Sequence, residues 1–105
     1  MASDQKTVDF ITEQMLGARN IRSRKMFGEY AIYCDDKVVA LVCDDQLFLK
    51  ITDPGRTVVK EQVLGAPYPG AKDSFVIREE DWDDADYLAR LARVTADALP
   101  APKKK

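Results

Sequence analysis

The chain has 105 residues, of which 16 are lysine or arginine and 18 are aspartate or glutamate, and it contains no histidine. One domain is expected at this length, and mechanisms that need an imidazole, such as Ser-His-Asp catalysis or histidine-ligated zinc, are excluded. Without the last three lysines, 13 basic residues stand against 18 acidic ones, a net charge of −5 that disfavours nonspecific binding to nucleic acid.

The N-terminal segment predicts a helix and a cytoplasmic location. It has no apolar core of the roughly 7–15 residues found in a signal peptide, and no later run reaches the ~18 apolar residues of a membrane span. We therefore expect a cytoplasmic protein with no membrane partner. Apolar residues recur at helical spacing over residues 3–16, where Ser3 or Asp4 can cap the helix and Gly17 can end it.

The next part of the chain predicts a meander of antiparallel strands at residues 22–26, 30–34, 38–42 and 47–51. Two identical Cys-Asp-Asp units, one after the second run and one after the third, each end a strand and reverse the chain. Gly28 marks a bend before the second strand. The third run is apolar without alternation, which predicts a central strand covered on both faces.

Cys34 and Cys43 are expected at opposite ends of one hairpin. The nine residues of extended strand from one to the other span roughly 30 Å, whereas a disulfide needs Cα atoms within about 7 Å. The chain has neither a Cys-x-x-Cys spacing nor a histidine that would suit zinc or thioredoxin-type chemistry. We predict two reduced structural thiols, no metal or cofactor and no enzymatic activity, because the paired acids on the turns are solvated.

A short middle helix is predicted at residues 56–64, ended by Gly65. The preceding residues 52–55 have the composition of a turn, because proline presets φ and glycine tolerates a positive φ. Residues 66–70 contain two prolines and predict a rigid loop. Residues 74–78 predict a last strand, which must rejoin the sheet.

The longest helix is predicted to start at Asp81 or Asp83 and to end near Leu99, before two prolines. Its expected apolar stripe comprises Tyr87, Leu88, Leu91, Val94 and Ala98. Residues 1–99 are thus expected to form the domain, and residues 100–105 a disordered tail of proline and lysine.

The order helix, meander, short helix, strand and helix predicts an α+β domain with two layers. The sheet is expected to be an antiparallel meander of about four to five strands. The N-terminal, short middle and long C-terminal helices are expected to lie on one face of it.

Two segments resemble the N-terminal domain of the TfoX/Sxy family. Residues 24–33 read RKMFGEYAIY and residues 47–50 read LFLK. Domains of that family share an Arg-Lys-Met-Phe-Gly-Gly-like opening, an aromatic strand, a turn and a Leu-aromatic-Leu-Lys strand. The resemblance extends in order and length over nearly the whole chain, and Glu29 stands where the family usually has its second glycine.

The resemblance implies a bacterial α+β domain and, through the founding members of the family, a link to positive regulation of natural-competence genes. Those competence regulators carry a second, C-terminal domain. The resemblance here covers the N-terminal domain alone, so we expect a stand-alone domain of this kind.

The basic stretch at the predicted first strand contains Arg19, Arg22, Arg24 and Lys25. Because side chains alternate along a strand, Arg22 and Arg24 should share one face and Lys25 should lie on the other. The pattern fits an edge strand kept soluble by its charges. It also fits a contact site for phosphate or for an acidic partner.

The aromatic residues Phe27, Tyr30, Tyr33 and Phe48, with Lys50 nearby, fit either a stacking platform for single-stranded nucleic acid or the packing of a half-buried sheet. Tyr30 and Tyr33 should lie on opposite faces, whereas Phe48 and Lys50 should share one. The candidate interaction residues are Arg22, Arg24, Lys25, Met26, Phe27, Gly28, Tyr30 and Lys50.

Six acids occur among residues 79–86. The residue order of a Ca²⁺-binding EF-hand loop is missing, and carboxylates at a helix start are favoured by the helix dipole and by the unpaired N–H groups there. We therefore interpret the cluster as helix capping, and we expect Trp82 within it to pack its ring back onto the domain.

The sequence as a whole predicts a non-enzymatic regulatory or interaction module that acts through protein contacts. Self-pairing through edge strands, giving a homodimer, is one expected form. Two alternatives are a nucleic-acid-associated regulator that uses the basic first strand and the lysine tail, and a small-ligand-binding domain.

Overall fold

The computed structural model describes residues 4–18, 20–26 and 29–100, and of Met26 only the backbone. The predictions on Ser3, Arg19, Phe27, Gly28 and the tail at 101–105 lie outside the described residues. The helices are α1 (Gln5–Gln14), α2 (Asp53–Arg56) and α3 (Ala85–Ala98), with single 3₁₀ turns at Met15–Gly17 and Glu79–Asp81. The strands are β1 (Ile21–Met26), β2 (Glu29–Cys34), β3 (Lys37–Cys43), β4 (Gln46–Leu49), β5 (Leu64–Gly65) and β6 (Ser74–Ile77).

The six strands form one antiparallel sheet in the order β1-β2-β3-β4-β6-β5. The first four are a meander, as predicted, and β6 rejoins the sheet beside β4. The strand count is six rather than four to five, because β5 adds a two-residue strand at the far edge. The α+β prediction is confirmed.

The core lies between one face of the sheet and the helices. Val8 and Ile11 from α1 and Leu88 and Leu91 from α3 are buried against strand residues that share that face. The strand residues include Tyr30, Ile32, Val42, Leu47, Leu49, Phe75 and Ile77. No helix in the part of the chain that the structure describes is long and apolar enough to cross a membrane.

The two Cys-Asp-Asp units form tight hairpin turns, as predicted. All four aspartates have positive φ, between 52° and 67°, which is the left-handed conformation that a two-residue hairpin loop of type I′ requires at both positions. Aspartate tolerates this conformation better than most residues. The cysteines before the turns are both free and buried. β3 lies centrally, as expected, but its face that points away from the helices is covered only in part, since Leu41 on that face is half-buried.

The structure has the predicted short middle helix, but the predicted bounds, residues 56–64, are wrong. α2 begins earlier, because the Thr52 hydroxyl oxygen accepts a hydrogen bond from the Gly55 N–H at 3.0 Å and caps the helix. It ends after one turn. The following segment is held by the sheet instead: the Val76 N–H donates to the Val63 carbonyl at 2.8 Å, and Leu64–Gly65 pairs with β6 as β5.

Aspartates cap the N-terminal starts of the two long helices, α1 and α3. Asp4 caps α1, as one of the two predicted candidates, by accepting from the Lys6 N–H at 3.1 Å. α3 starts later than predicted, at Ala85, because the Asp84 carboxylate accepts from the Tyr87 N–H at 3.1 Å. The buried face of α3 also differs from the predicted stripe: it comprises Leu88, Ala89, Leu91, Ala92, Thr95 and Ala96, whereas Ala98 is exposed.

Candidate interaction surface

The side of the sheet that carries no helix presents one continuous row of side chains. The strand registers place Arg24, Ala31, Leu41, Phe48 and Val76 directly opposite one another across β1, β2, β3, β4 and β6. These positions alternate with the residues that pack against the helices, so their side chains point away from the core. We call this side the helix-free face.

The middle of the helix-free face is apolar. Ala31 and Phe48 are only 1% and 4% exposed, although neither belongs to the core beneath the helices, and Leu41 and Val76 are half-buried. A loop on the far side, carrying the exposed Tyr68, lies near Phe48. It leaves a cavity of about 430 Å³ lined by Leu41, Phe48, Lys50, Ile51, Pro67, Tyr68, Ala71, Lys72, Asp73, Ser74 and Leu99.

The end of the row at β1 is basic. Arg22 and Arg24 lie on the helix-free face, as alternation predicted. The Arg22 guanidinium lies 4.6 Å from the centre of the Tyr33 ring and 3.1 Å from an Asp36 carboxylate oxygen. Both partners of this ion pair are mostly exposed, so the pair contributes little stability. Arg24 is exposed and forms no ion pair with any residue that the structure describes.

The other candidate residues are divided between the two sides of the sheet. Lys50 is exposed and lines the cavity together with Phe48, so these two share a face as predicted. Lys25 is exposed, but on the opposite side of β1 from Arg24. Tyr30 is not a surface residue: it is buried in the core, where its hydroxyl donates to Gln5 Oε1 at 2.9 Å. Met26 pairs with Glu29 through the backbone.

Three acidic residues of the 79–86 cluster, Glu80, Asp81 and Asp84, lie close to the cations of Lys60 and Arg78. Arg78 lies within 2.9–3.6 Å of carboxylate oxygens of Glu61, Glu80 and Asp81. Lys60 lies 3.5 Å from carboxylates of Asp81 and Asp84. Among the described residues, no group of acids, cysteines or histidines is arranged to hold a metal ion. The cluster therefore caps α3, through Asp84, and ties the segment before β5 to it.

Two further contacts at this end were not predicted. The Lys60 ammonium lies 4.6 Å from the centre of the Tyr87 ring, and the Tyr87 hydroxyl accepts from the Lys60 N–H at 2.9 Å. Trp82 is 6% exposed, as its expected packing requires, and its indole N–H donates to the Ile77 carbonyl at 3.1 Å. Lys60 and Tyr87 lie 27 residues apart in sequence, so no local pattern indicated their contact, whereas the bond from Trp82 to Ile77 spans only five.

The cysteines lie in surroundings that suppress thiol chemistry. Cys34 is fully buried. Burial, followed by the charges of Glu29 and Asp44, raises the pKa of the Cys43 thiol from 9.0 to about 11. Since the thiolate is the reactive form, neither cysteine is placed to act as a nucleophile at neutral pH.

Comparison with known proteins bears on this fold directly. The family description of the TfoX N-terminal domain matches residues 13–99, which run from the end of α1 through α3. The chain belongs to the TfoX N-terminal domain family. This TfoX N-terminal domain is also 44% identical, over all of its 105 residues and 90% of the relative, to an "Uncharacterized 12.7 kDa protein in trpE 5'region" from Spirochaeta aurantia. The family supports a TfoX-like regulatory domain, and the matched residues include the whole helix-free face.

Proposed function

We propose that this TfoX N-terminal domain is a non-enzymatic regulatory module that binds an acidic partner protein through its helix-free face and the adjoining basic edge. One observation carries the proposal. The apolar row on that face leads from the half-buried Leu41 to an arginine, Arg24, that has no ion-pair partner among the described residues.

The composition of this face suits a protein contact. Protein interfaces typically have an apolar centre and a polar rim, and arginine and aromatic side chains are enriched in them. Here the half-buried Leu41 and Val76 form the accessible apolar centre, while Arg24 and Lys50 supply positive charge at its borders. Five strands at about 4.8 Å spacing make the row roughly 19 Å long.

Catalysis finds less support in the same residues. The chain has no histidine to serve as a base, and both thiols are buried. Within the 79–86 cluster, Asp84 caps α3, and Glu80, Asp81 and Asp84 form ion pairs with Lys60 or Arg78. Regulation by contact therefore accounts for more of the exposed chemistry than an enzymatic role does.

The nucleic-acid alternative shares Arg22, Arg24 and Lys50 with the leading proposal. Asp36, which pairs with Arg22, and Asp73, which lines the same cavity as Lys50, oppose any anion here, but they oppose a nucleic acid more, because it carries a negative charge on every nucleotide. Phosphates would meet these carboxylates as well as the cations. An electrophoretic shift assay across salt concentrations separates the two: tight, steeply salt-dependent binding to DNA or RNA would favour the alternative.

The test of the proposed function is affinity capture from the native cell extract with two variants of equal charge change. Arg24→Glu with Lys50→Glu alters the helix-free face, and Arg90→Glu with Arg93→Glu alters exposed positions on α3. We expect the first variant to lose its partner by at least tenfold in quantitative mass spectrometry and the second to keep it. Equal capture by wild type and both variants, or equal loss in both, would contradict the proposal.

A further inference from the structure

We propose that β1 accepts an extended segment of the partner as a seventh strand, and that this segment carries acidic residues at alternate positions. The inference rests on the proposed function and specifies how the acidic partner is held. Such strand addition obtains affinity from main-chain hydrogen bonds and specificity from alternate side chains.

The β1 edge is the one that offers length. β1 is the first strand of the sheet and pairs with β2 alone, over six residues, whereas the opposite edge strand, β5, has only two. Six residues of strand extend for roughly 20 Å. An edge of this length presents a series of backbone donors and acceptors to an added chain.

The alternation of hydrogen-bonded and non-hydrogen-bonded pairs between β1 and β2 identifies which backbone groups of β1 point outward. Asn20 precedes the first pair of the register, and its carbonyl accepts from the Asp35 N–H at 3.0 Å. In an antiparallel pair, hydrogen-bonded and non-hydrogen-bonded positions alternate. Arg22 and Arg24 therefore direct their N–H and C=O groups toward β2, and the groups of Ile21, Ser23 and Lys25 point away from the sheet.

The side chains along this edge define the sequence that would fit. An added antiparallel strand would pair with the outward groups of Ile21, Ser23 and Lys25, which places its intervening residues opposite Arg22 and Arg24. Those two arginines are exposed on the helix-free face and lie two residues apart. Opposite charges directly across a ladder are favourable. The pattern acid-x-acid thus matches β1.

A second copy of this chain fits the same edge poorly. An antiparallel pairing of two β1 strands that uses their outward groups and joins four or more β1 residues of each copy places Arg22 or Arg24 opposite an arginine of the other copy. Like charges directly across a ladder are destabilising. Charge complementarity therefore favours an acidic segment over self-pairing.

The experiment uses the full chain, labelled with ¹⁵N, and a synthetic peptide of threonine and valine with two glutamates separated by one residue. We expect bound peptide to slow amide exchange at Ile21, Ser23 and Lys25 at least fivefold, and to leave Arg22 and Arg24 little changed, because their amides are already bonded to β2. A peptide with lysines in place of the glutamates, and one N-methylated at the bonding positions, should bind at least tenfold more weakly.

Two variants make the result independent of folding defects. Ser23→Pro removes an outward N–H without touching the β1–β2 ladder, and it should weaken the glutamate peptide at least tenfold. Arg22→Glu with Arg24→Glu should reverse the preference in favour of the lysine peptide, which an unfolded variant could not do.

Several outcomes would overturn the inference. They are equal binding of the N-methylated peptide, no change in exchange at the three outward amides, and protection of those amides by concentration-dependent dimerisation without peptide. If capture of the natural partner depends on Arg24 and Lys50 but is unaffected by Ser23→Pro, the proposed function stands and strand addition does not. If capture depends neither on Arg24 and Lys50 nor on the Ser23→Pro substitution, both the proposed function and strand addition are contradicted.

Discussion

Thr95 lies in the middle of the buried face of α3, yet its hydroxyl has no hydrogen-bond partner within the described structure. A buried hydroxyl that has lost water without gaining a partner costs roughly 1–3 kcal/mol. Valine has the same branched shape and about the same helix propensity, and it places a methyl group where the hydroxyl is. Thr95→Val should therefore stabilise the domain, although it changes a residue that is completely enclosed.

The expected gain is about 1 kcal/mol in the free energy of unfolding, taken at the lower end of the hydroxyl penalty. Burying one additional methyl group acts in the same direction, by up to about 0.8 kcal/mol. In a domain of about this size, 1 kcal/mol shifts the Tm by roughly 4–8 °C. Urea unfolding followed by circular dichroism measures the free energy, and scanning calorimetry measures the Tm.

Two matched variants separate the hydroxyl from the methyl group. Thr95→Ser keeps the hydroxyl and removes the methyl, so it should destabilise by about 1 kcal/mol. Thr12→Val makes the same exchange in α1, where the hydroxyl donates to the Asp9 carbonyl at 3.1 Å, and should bring no gain. If Thr95→Val were less stable than wild type while Thr95→Ser matched it, the hydroxyl would be contributing a bond and the reasoning would be refuted.

Three other changes test other parts of the fold. Because burial raises the pKa of the Cys43 thiol from 9.0 in the unfolded chain to about 11, its contribution to stability is complete below pH 9 and is lost as the pH rises to 11. The unfolding free energy of Cys43→Ala, measured by urea titration, should fall less over that pH range than that of the wild type. An equal fall would contradict the raised pKa of the Cys43 thiol. Asp36 has a φ of 67°, so Asp36→Gly should change the unfolding free energy by less than about 1 kcal/mol, whereas Asp36→Val should lower it by about 1–2 kcal/mol in thermal unfolding. Trp82→Phe removes a buried N–H donor, and a loss of about 2 kcal/mol is expected by circular dichroism; a loss below about 0.5 kcal/mol would show that the bond is dispensable.

The meander could be predicted from the sequence because its determinants are local. Each Cys-Asp-Asp unit reverses the chain with two residues that tolerate positive φ, and the strands on either side are short and rich in β-formers. Alternation then assigned Tyr30 and Tyr33 to opposite faces and Phe48 and Lys50 to the same one. These assignments need only the period of the strand, which is a property of the backbone.

The region after β4 could not be predicted because distant partners determine it. Gly65 fits the end of a helix that begins at Arg56, but the Lys60 N–H is bonded to the Tyr87 hydroxyl rather than within a helix. The Val63 carbonyl is bonded to β6. A periodicity argument cannot include bonds to residues that lie more than ten positions away.

The buried face of α3 illustrates a different limit. Large apolar residues suggested a stripe that ends with Val94 and Ala98, whereas the structure buries Ala92, Thr95 and Ala96. Small side chains allow a helix to approach a sheet closely, and a pattern of hydrophobic residues does not show where such a close approach buries small residues. The apolar row of the helix-free face was missed for a related reason, because its registers depend on a bulge between Ile32 and Tyr33 and on β6 pairing with β4.

The distribution of charge limits which partner the proposed edge can select. Lys60 and Arg78 pair with Glu80, Asp81 and Asp84 near the start of α3, but the domain remains acidic as a whole, with a net charge of −2 that includes the three terminal lysines. The net negative charge of the domain would repel a strongly acidic partner at distances longer than those of the direct contacts with β1. At 0.1 M salt this repulsion is screened over about 10 Å, whereas a directly opposed pair at Arg24 is screened less. Moderate salt should therefore weaken peptide binding only slightly, in contrast to the steep loss that phosphate binding would show. The edge accordingly suits a short acidic strand within a less charged protein.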